Sequence, residues 1–561
     1  MKPFLDSRGM YSLNSSTLPN ELFANLVLFN GKVVTVDSGN SIQEAVAVKG
    51  NRILKVGKNE EIRLMVGPKT EQIDLEGRTL LPGMVDGHVH MLSSGLRALR
   101  EFKIPSSSIR DVLAIVKKKA EQAPQGEWLI GGEVRFADLK FEERRFPTKW
   151  ELDEAAPNHL VFLHMGPHIK VVNSNVLRLA GITKDTPDPV GGTIVKQQMS
   201  GEPTGVLRET ASRLVTKFFP PYSLEDYPKA IKLEAQKCLE RGITCVHEIV
   251  VSPEEIAAYQ DLLRKKELPI RVRLLVRVIE SKIDLDSLLT IGLKSNFGNE
   301  WLRIGGIKIS VGGGISGSNA ALYEEYSHEP GNYGVIRVPQ PLLNDLVTKA
   351  NRNGLQCHVH ALGDRDLDMT ISAFETAMKD TPRHDLRHRV EHAGCWFFTP
   401  ERRRKFLELD LLAAPNINFL YTFGDGVLVT LGKERTSQDI FPLKTMLKEG
   451  MLLISGSDGP DLEPSDALRD IGTAILRKTE KGVEIDPSEA ISVMEGIRMF
   501  TINLAYAAFE EENLGSIEPG KIADLVVVAE DPLTTQPEKL KDIKIDITIV
   551  DGKTAYRRKI D

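Results

Sequence analysis

The sequence is poor in cysteine, and its four thiols form no Cys-x-x-Cys pair: Cys238, Cys245, Cys357 and Cys395. We therefore predict neither a disulfide framework nor a thiolate zinc site, and a reducing, cytoplasmic location is expected. Long apolar runs are missing too, since none reaches the roughly 18 residues of a membrane-spanning helix. The first 25 residues lack the basic and apolar regions of a signal peptide. These absences favour a cytoplasmic protein without a membrane partner.

An excess of charge of one sign is also lacking. The formal net charge is −6, with 72 Lys and Arg against 78 Asp and Glu. Because this imbalance is small for a chain of 561 residues, we expect no nucleic acid as partner. Histidine is scarce, with 12 residues, so positions where two histidines lie close together carry weight.

The chain changes character along its length. Both ends contain short Val- and Ile-rich runs with Gly-Lys turns, which are typical of antiparallel strands. The middle alternates strand-like runs with amphipathic helical segments, which favours parallel strands joined by helices. We predict an α/β fold, a (β/α)8 TIM-like barrel with a small β-sandwich domain formed by both chain ends. A doubly wound sheet is the alternative, but its glycine-rich nucleotide fingerprint is absent.

The predicted domains follow from this change in character. They are an N-terminal arm at 1–24, the small β domain at 25–79 plus 507–561, and the barrel at 80–506 with an insertion at about 104–214. The insertion interrupts the alternation after the first barrel strand, so we expect it to cover the site.

Two histidines stand one residue apart at the end of the apolar segment LPGMVDGHVH, residues 81–90. Alternate side chains of a strand point to the same side, so His88 and His90 would face the barrel interior together. Burying two imidazoles without partners is costly, and a divalent metal would satisfy both. For this pair alone, hydrogen-bonded core histidines are the alternative.

Other predicted strand ends carry similar side chains. CHVHALGD repeats the spacing with His358 and His360, VEHAG contains His392, and ISGSDGP contains Asp458. For Asp458 alone, capping of the following helix is the alternative. Imidazoles and a carboxylate that meet at the ends of parallel strands would bind one or two divalent ions, with zinc the first candidate.

These motifs resemble those of the amidohydrolase superfamily. LPGMVDGHVH is similar to its first-strand metal signature, and GSIEPGKIADLVVV to its C-terminal hallmark. GEPTGVLRET, HVHALGDRDLD, RHRVEHAG and SGSDGP resemble segments of the long amide-hydrolysing group that includes N-substituted formamide deformylases. The resemblance extends from about Asn25 to Tyr556. It implies a metal-dependent hydrolase acting on carbon–nitrogen bonds other than peptide bonds.

The resemblance also implies a set of metal ligands in this sequence. His88 and His90 would hold the more buried metal, and His360 and His392 a second one. Asp458 would contact a metal and carry a proton.

Two residues are open as the ligand that bridges two metals. Lys308, in the apolar context IGGIKIS, would bridge as a CO2-modified lysine. Glu209, in GVLRET, is the rival, with a carboxylate at a helix start as its alternative role.

Three further residues are candidates for contacts around the reaction. His358 lies on the same side as His360 by strand period, and would stabilise the oxyanion or support a ligand. His168 and Arg208, in the insertion, are candidates for binding the substrate, with a structural role as the alternative. The Asp-Gly that the group usually carries after the fourth-strand lysine is Gly312-Gly313 here, so the group's leaving-group preference is not carried over.

The expected reaction is hydrolysis of an amide or formamide-like bond in a small molecule. A bound metal lowers the pKa of water and polarises a carbonyl, and Asp458 would move the proton to the departing nitrogen. A deaminase is one alternative, although Gly363 stands where single-metal deaminases carry a glutamate three residues after His360. A lactonase or decarboxylase on the same barrel is another. A metal-free, inactive binding scaffold is disfavoured because every ligand type is present. A homo-oligomer is the usual expectation for such enzymes.

Overall fold

The structure is a computed structural model. It describes residues 23–105, 107–132, 134, 141–166, 169–189, 192–432, 434–436, 439–459 and 466–559. The predicted arm at 1–24 lies almost entirely outside the described residues, and His168 lies outside them as well.

A curled sheet of parallel strands carries the predicted site. These strands are rich in Val, Ile and Leu and buried on both faces, as expected where helices cover one face and the barrel interior the other. Within the described residues there are seven, in the spatial order Leu412–Ala414, Arg389–Glu391, Cys357–His360, Leu302–Ser310, Arg271–Arg277, Ile243–Val250 and Met84–Val89. The two-residue strand Phe297–Gly298 pairs antiparallel with Leu302–Ser310.

The segment 455–459 continues the curl beside the first strand. The backbone N–H of Asp458 donates to the carbonyl of His88 at 2.8 Å, and that of His90 donates to the carbonyl of Gly459 at 2.8 Å. The architecture is therefore an α/β, TIM-like one. The ends of its parallel strands meet at one mouth, where active sites of such folds lie.

Helices pack outside this sheet, and several begin at a clear cap. Ser252 accepts a hydrogen bond from the backbone of Glu255, and Pro253 occupies the first helical position. The helices of this region are Met91–Arg100, Asp226–Leu239, Pro253–Arg264, Leu285–Thr290, Gln340–Asn353, Asp364–Asp380, Pro400–Glu408, Ile417–Thr430, Leu443–Lys448, Ala467–Leu476, Val493–Met499 and Ile502–Ala507. The part of the chain that the structure describes holds no helix both long and apolar enough to cross a membrane.

Close packing of the helices Met91–Arg100 and Asp226–Leu239 depends on Gly95. A Cβ atom at Gly95 would lie 2.2 Å from the carbonyl oxygen of Ala230, and backbone yields less readily than a flexible side chain. We expect Gly95→Ala to lower the free energy of unfolding by about 1–3 kcal/mol, although alanine favours helix. Denaturant unfolding measures the change. Ser93→Ala, on the exposed side of the same helix, is the control and should stay within about 0.5 kcal/mol of the parent; a Gly95 variant as stable as this control would contradict the packing argument.

The chain ends form two sheets that share an apolar core, the first from N-terminal strands and the second from strands of both ends. The core contains Leu28 and Val46 of one sheet and Leu80 and Val527 of the other. The first sheet has the order Arg52–Gly57, Ala45–Lys49, Leu26–Phe29 and Glu71–Asp74, and the second Lys553–Arg557, Ile545–Val550, Leu525–Val528, Thr79–Pro82, Lys32–Val34 and Ile42–Gln43. The short helix Asn59–Arg63 lies between strands of the first sheet in sequence.

The insertion has a sheet and apolar clusters of its own. Its strands have the order Gly192–Lys196, Pro203–Glu209, Ile169–Val172, Leu160–His164 and Trp128–Gly131. Its helices are Ile109–Gln122, Lys149–Ala155, Ser174–Leu179 and Arg213–Thr216. Short 3-10 turns among the described residues are Thr210–Ser212, Ile315–Gly317, Pro487–Glu489 and Pro537–Asp542.

Candidate metal centre

Three predicted ligands meet at the mouth of the curled sheet. Oδ1 of Asp458 lies 3.2 Å from Nε2 of His88 and 3.4 Å from Nε2 of His90. One ligand atom from each of the three residues lies within 4.8 Å of the other two. Ligands that bind one zinc ion at about 2.0–2.1 Å have to be this close to each other. His88 lies in the first strand, which ends at Val89, and His90 is the N-cap residue of the next helix, so both stand at the mouth of the sheet.

His392 and His360 extend this cluster. The ring centroid of His392 lies 5.1 Å from that of His88 and 4.5 Å from that of His360. Nδ1 of His392 lies 2.7 Å from Oδ1 of Asn416, to which it donates. Its Nε2 is buried and has no hydrogen-bond partner among the described residues. A hydrogen bond that fixes one ring nitrogen leaves the other free to bind a metal, so this orphaned atom fits a cation at the centre. Nε2 of His360 lies 3.1 Å from the carbonyl oxygen of Gly313.

Two of these residues have a left-handed backbone. The φ angle is 72° at His392 and 53° at Asp458, a conformation that costs about 1–3 kcal/mol when it is strained and that clusters at functional sites. At His392 the turn has a direct consequence. A regular strand would point Glu391 and His392 to opposite faces, whereas here both approach His88.

Burial keeps the imidazoles of His90, His360 and His392 neutral, whereas neighbouring side chains keep the carboxylate of Asp458 ionised. Desolvation lowers the pKa of His90 and of His360, and lowers the pKa of His392 to about 3. Burial alone would raise the pKa of Asp458, but the adjacent His88 and His90 hold it well below its ordinary value. At neutral pH the ring lone pairs and the carboxylate are therefore ready to accept a cation.

Glu391 is a buried carboxylate that the sequence did not single out. Its Oε2 accepts a hydrogen bond from Nδ1 of His88 at 2.8 Å and one from the guanidinium of Arg389 at 3.1 Å. The bond to His88 directs the lone pair of Nε2 toward Asp458 and the metal position. The available signal was the pair of opposite charges, Arg389 and Glu391, in a buried strand directly before His392.

His358 requires a correction. Its Nδ1 lies 3.1 Å from Oε1 of Glu391, and its Nε2 lies 3.2 Å from Oε1 of Gln356. Because buried protein groups engage both ring nitrogens, the expected oxyanion contact does not fit this placement. The other role considered for His358, support of a ligand, does fit, since it shares Glu391 with His88.

The two candidates for the bridging ligand lie in different sheets. Lys308 is buried in the parallel sheet, in register with Arg277 on one side and His358 on the other. Its Nζ has no hydrogen-bond partner among the described residues, and burial lowers its pKa to about 8. Glu209 ends a strand of the insertion's sheet, paired with Gly192. The geometry therefore favours Lys308, whose partly neutral amine suits reaction with CO2.

The predicted substrate contacts lie in the insertion. Arg208 is exposed on the strand Pro203–Glu209, opposite Ile169. His168 falls outside the described residues. The roles of both residues in binding a substrate stay predictions.

A pocket of about 130 Å³, polar at Asp458 and His360 and lined elsewhere largely by apolar and aromatic side chains, opens at the metal centre; we call it the apolar pocket after that larger wall. Its remaining walls are Gly314, Ile315, Ser316, Leu362, Trp396, Phe419, Phe423 and Val427. The ring of Phe419 stacks on Trp396 at 6.1 Å and on His392 at 5.7 Å, which joins the aromatic wall to the metal centre. An apolar cavity of about 150 Å³ holds benzene, so the size of this pocket suits one ring or a branched alkyl group.

Comparison with known proteins gives consistent matches. A sequence model of the amidohydrolase family matches residues 71–556. The chain is 32% identical to Protein LONG AFTER FAR-RED 3 of Arabidopsis thaliana, over 99% of this chain and 95% of that protein. It is 30% identical to N-substituted formamide deformylase of Arthrobacter pascens, over 95% of this chain and 98% of that protein.

A solved structure supports the fold. The crystal structure of an uncharacterised metal-dependent hydrolase from Pyrococcus furiosus superimposes with a TM-score of 0.71 at 24% identity. The match covers 91% of this chain and all of that one. The α/β barrel type predicted from the alternating pattern is thereby shared with a known structure.

Proposed function

The chain belongs to the amidohydrolase family, and from this premise we propose that it hydrolyses a carbon–nitrogen bond of amide or formamide type in a small molecule. One or two divalent ions, zinc first among the candidates, would assist. The observation that carries the proposal is the contact of His88, His90 and Asp458 at one point of the barrel mouth. The similarity to a protein named N-substituted formamide deformylase supports the bond type.

The residues present fit a metal centre. His88, His90, His360, His392 and Asp458 would hold the ions, and Lys308 would bridge them after reaction with CO2. When bound, the metal lowers the pKa of a water molecule and polarises the carbonyl of the substrate. Glu391 orients His88, so the first ligand is positioned before any ion arrives.

Asp458 is the residue we assign to proton transfer. A carboxylate oxygen of Asp458 takes the proton of the attacking water while the new carbon–oxygen bond forms. The same oxygen then delivers the proton to the substrate nitrogen as the carbon–nitrogen bond breaks, so that the amine leaves neutral. The low pKa of Asp458 keeps it in the accepting form at neutral pH.

The apolar pocket would hold one substituent of the substrate. It lies against Asp458 and His360, so a ring bound there places the scissile bond beside the proton carrier. Burying the substituent against Trp396 and Phe419 supplies binding energy and excludes water.

We also propose that the two sheets of the chain ends form the predicted β-sandwich, a proposal that their shared core supports.

Metal analysis combined with a substrate panel tests the function. The panel contains the formamide, the acetamide and the ester of compounds bearing a single phenyl ring. We expect about one or two divalent ions per chain, turnover of an amide or formamide, loss of turnover on chelation and its return with added metal. Protein that carries no metal and hydrolyses none of the panel after metal is added would overturn the proposal.

A further inference from the structure

Three arginines lie on one face of the strand Arg271–Arg277. Alternate residues of a strand share a face, so Arg271, Arg273 and Arg277 project into the barrel interior at increasing height. The two lower arginines use the same edge of the guanidinium. Nε and Nη2 of Arg271 donate to the two carboxylate oxygens of Asp524 at 2.8 and 3.0 Å, and those of Arg273 donate to Glu510.

The same edge of Arg277 has no such partner. Its Nε is buried and makes no hydrogen bond to any described residue. Its Nη2 reaches only the hydroxyl of Ser310, at 3.5 Å. Three carboxylates act on Arg277. Glu280 pairs with Arg337 at 3.4 Å, Glu255 accepts from the backbone of Val251 at 2.7 Å, and Asp458 contacts His88 and His90. A half-buried guanidinium without an anion is costly, and its free edge matches a carboxylate in two parallel hydrogen bonds.

Arg277 lies at the reaction centre and apart from the apolar pocket. It is the last residue of its strand, in register with Lys308, and its charge acts on His90 and Asp458. The aromatic wall of the pocket follows strands Arg389–Glu391 and Leu412–Ala414, which stand three and four positions away in the sheet. A substrate bound at the centre would therefore meet a cation on one side and an apolar wall on the other.

We propose that Arg277 binds the carboxylate of the substrate, which is an amide that carries a carboxylate on one side of the scissile bond and an apolar group on the other. The inference rests on the proposed function, because it describes the substrate of the same centre. The anion that Arg277 holds has two chemical sources, the substrate and a carbamate formed on the adjacent Lys308. The experiment separates them by comparing charged and neutral substrates.

Paired substrates test the role of Arg277. N-benzoylglycine and its methyl ester differ at the carboxylate and share the same amide. Arg277→Gln should lower kcat/KM for the acid by about 10- to 100-fold, the range of a lost hydrogen bond to a charged group. Its effect on the ester should stay within about 3-fold, because the ester makes no charged pair. Arg277→Lys should fall between, since lysine keeps the charge and loses the planar fork.

Arg337→Gln is the matched control, because Arg337 is a charged neighbour of Arg277 that pairs with Glu280. It should leave the ratio of acid to ester turnover unchanged. All variants are compared at equal metal content per chain. An equal loss for acid and ester would overturn the proposal and assign Arg277 to the metal centre or Lys308. Turnover of both substrates at the parent rate in Arg277→Gln would also overturn it.

A binding measurement keeps this test apart from that of the function. Titration calorimetry of the metal-loaded protein with 4-phenylbutyrate and with 4-phenylbutanol needs no turnover. We expect Arg277→Gln to weaken the binding of 4-phenylbutyrate by about 10-fold or more and to leave the affinity for 4-phenylbutanol unchanged. If the parent hydrolyses no amide yet shows this pattern, the proposed function fails and the carboxylate site stands. If amides are hydrolysed and 4-phenylbutyrate binds equally to both proteins, the carboxylate site fails alone.

Discussion

Asp458→Asn is expected to lower kcat by about 100- to 10,000-fold, the usual contribution of a positioned general acid or base. Asparagine keeps the size and one oxygen of Asp458. Its amide oxygen can therefore take the place of Oδ1, which lies 3.2 Å from His88 and 3.4 Å from His90. It has no oxygen that takes up a proton at neutral pH. Most of the metal should therefore remain while turnover is lost. Steady-state kinetics and elemental analysis of the same preparation measure the two quantities.

The matched control for this variant is Asp410→Asn. Asp410 has a φ of 51°, close to the 53° of Asp458, and it is exposed and contacts His384. The control therefore makes the same chemical change in the same left-handed backbone away from the cluster, and it should keep the parent's kcat. Amide hydrolysis by Asp458→Asn at the parent rate would refute the assignment of proton transfer. Loss of all metal would instead make Asp458 mainly a ligand.

The ligand cluster follows from local rules that act on the sequence. The period of two on a strand predicted that His88 and His90 share a side, and the ends of parallel strands brought His360, His392 and Asp458 to the same mouth. Both rules depend only on neighbouring residues and on the order of elements. For that reason one sequence was sufficient to predict that these side chains lie together, while their binding of a metal stays a prediction.

Other parts of the site depend on tertiary contacts. The period of two also predicted that His358 shares a side with His360. His358 lies deeper in the barrel, however, and its two ring nitrogens contact Glu391 and Gln356. His392 approaches His88 from the same side as Glu391 because the backbone turns at His392, where φ is 72°. No pattern in VEHAG announces a left-handed histidine. Arg277 could not be singled out from the sequence either. Only the positions of carboxylates distant in sequence distinguish it from Arg271 and Arg273, which are paired.

Glu391→Gln is expected to destabilise the protein by about 3–5 kcal/mol, the cost of leaving one partner of a buried ion pair without the other. Arg389 is fully buried, and its guanidinium also donates to the carbonyl oxygen of Gly87 at 2.9 Å and lies 2.9 Å from Nδ1 of His247. Neither contact supplies a negative charge. The glutamine amide also leaves only one oxygen to accept the hydrogen bonds that both His88 and His358 make to Glu391. Metal affinity should fall by about 10- to 100-fold as the support of His88 weakens.

Denaturant unfolding with a chelator present separates the two effects, because it measures stability without bound metal, and competition with a metal indicator measures affinity. Glu267→Gln is the control, since Glu267 pairs with Lys232 at 2.6 Å where both side chains are about half exposed. An exposed pair of this kind contributes little to stability because solvent screens it, so the control should unfold close to the parent. If Glu391→Gln is as stable as that control, the buried charge of Arg389 does not depend on Glu391, and the expected destabilisation is wrong. If Glu391→Gln binds metal as tightly as the parent, the hydrogen bond from His88 to Glu391 does not position the ligand. The proposal that the protein orients His88 before the metal binds is then wrong.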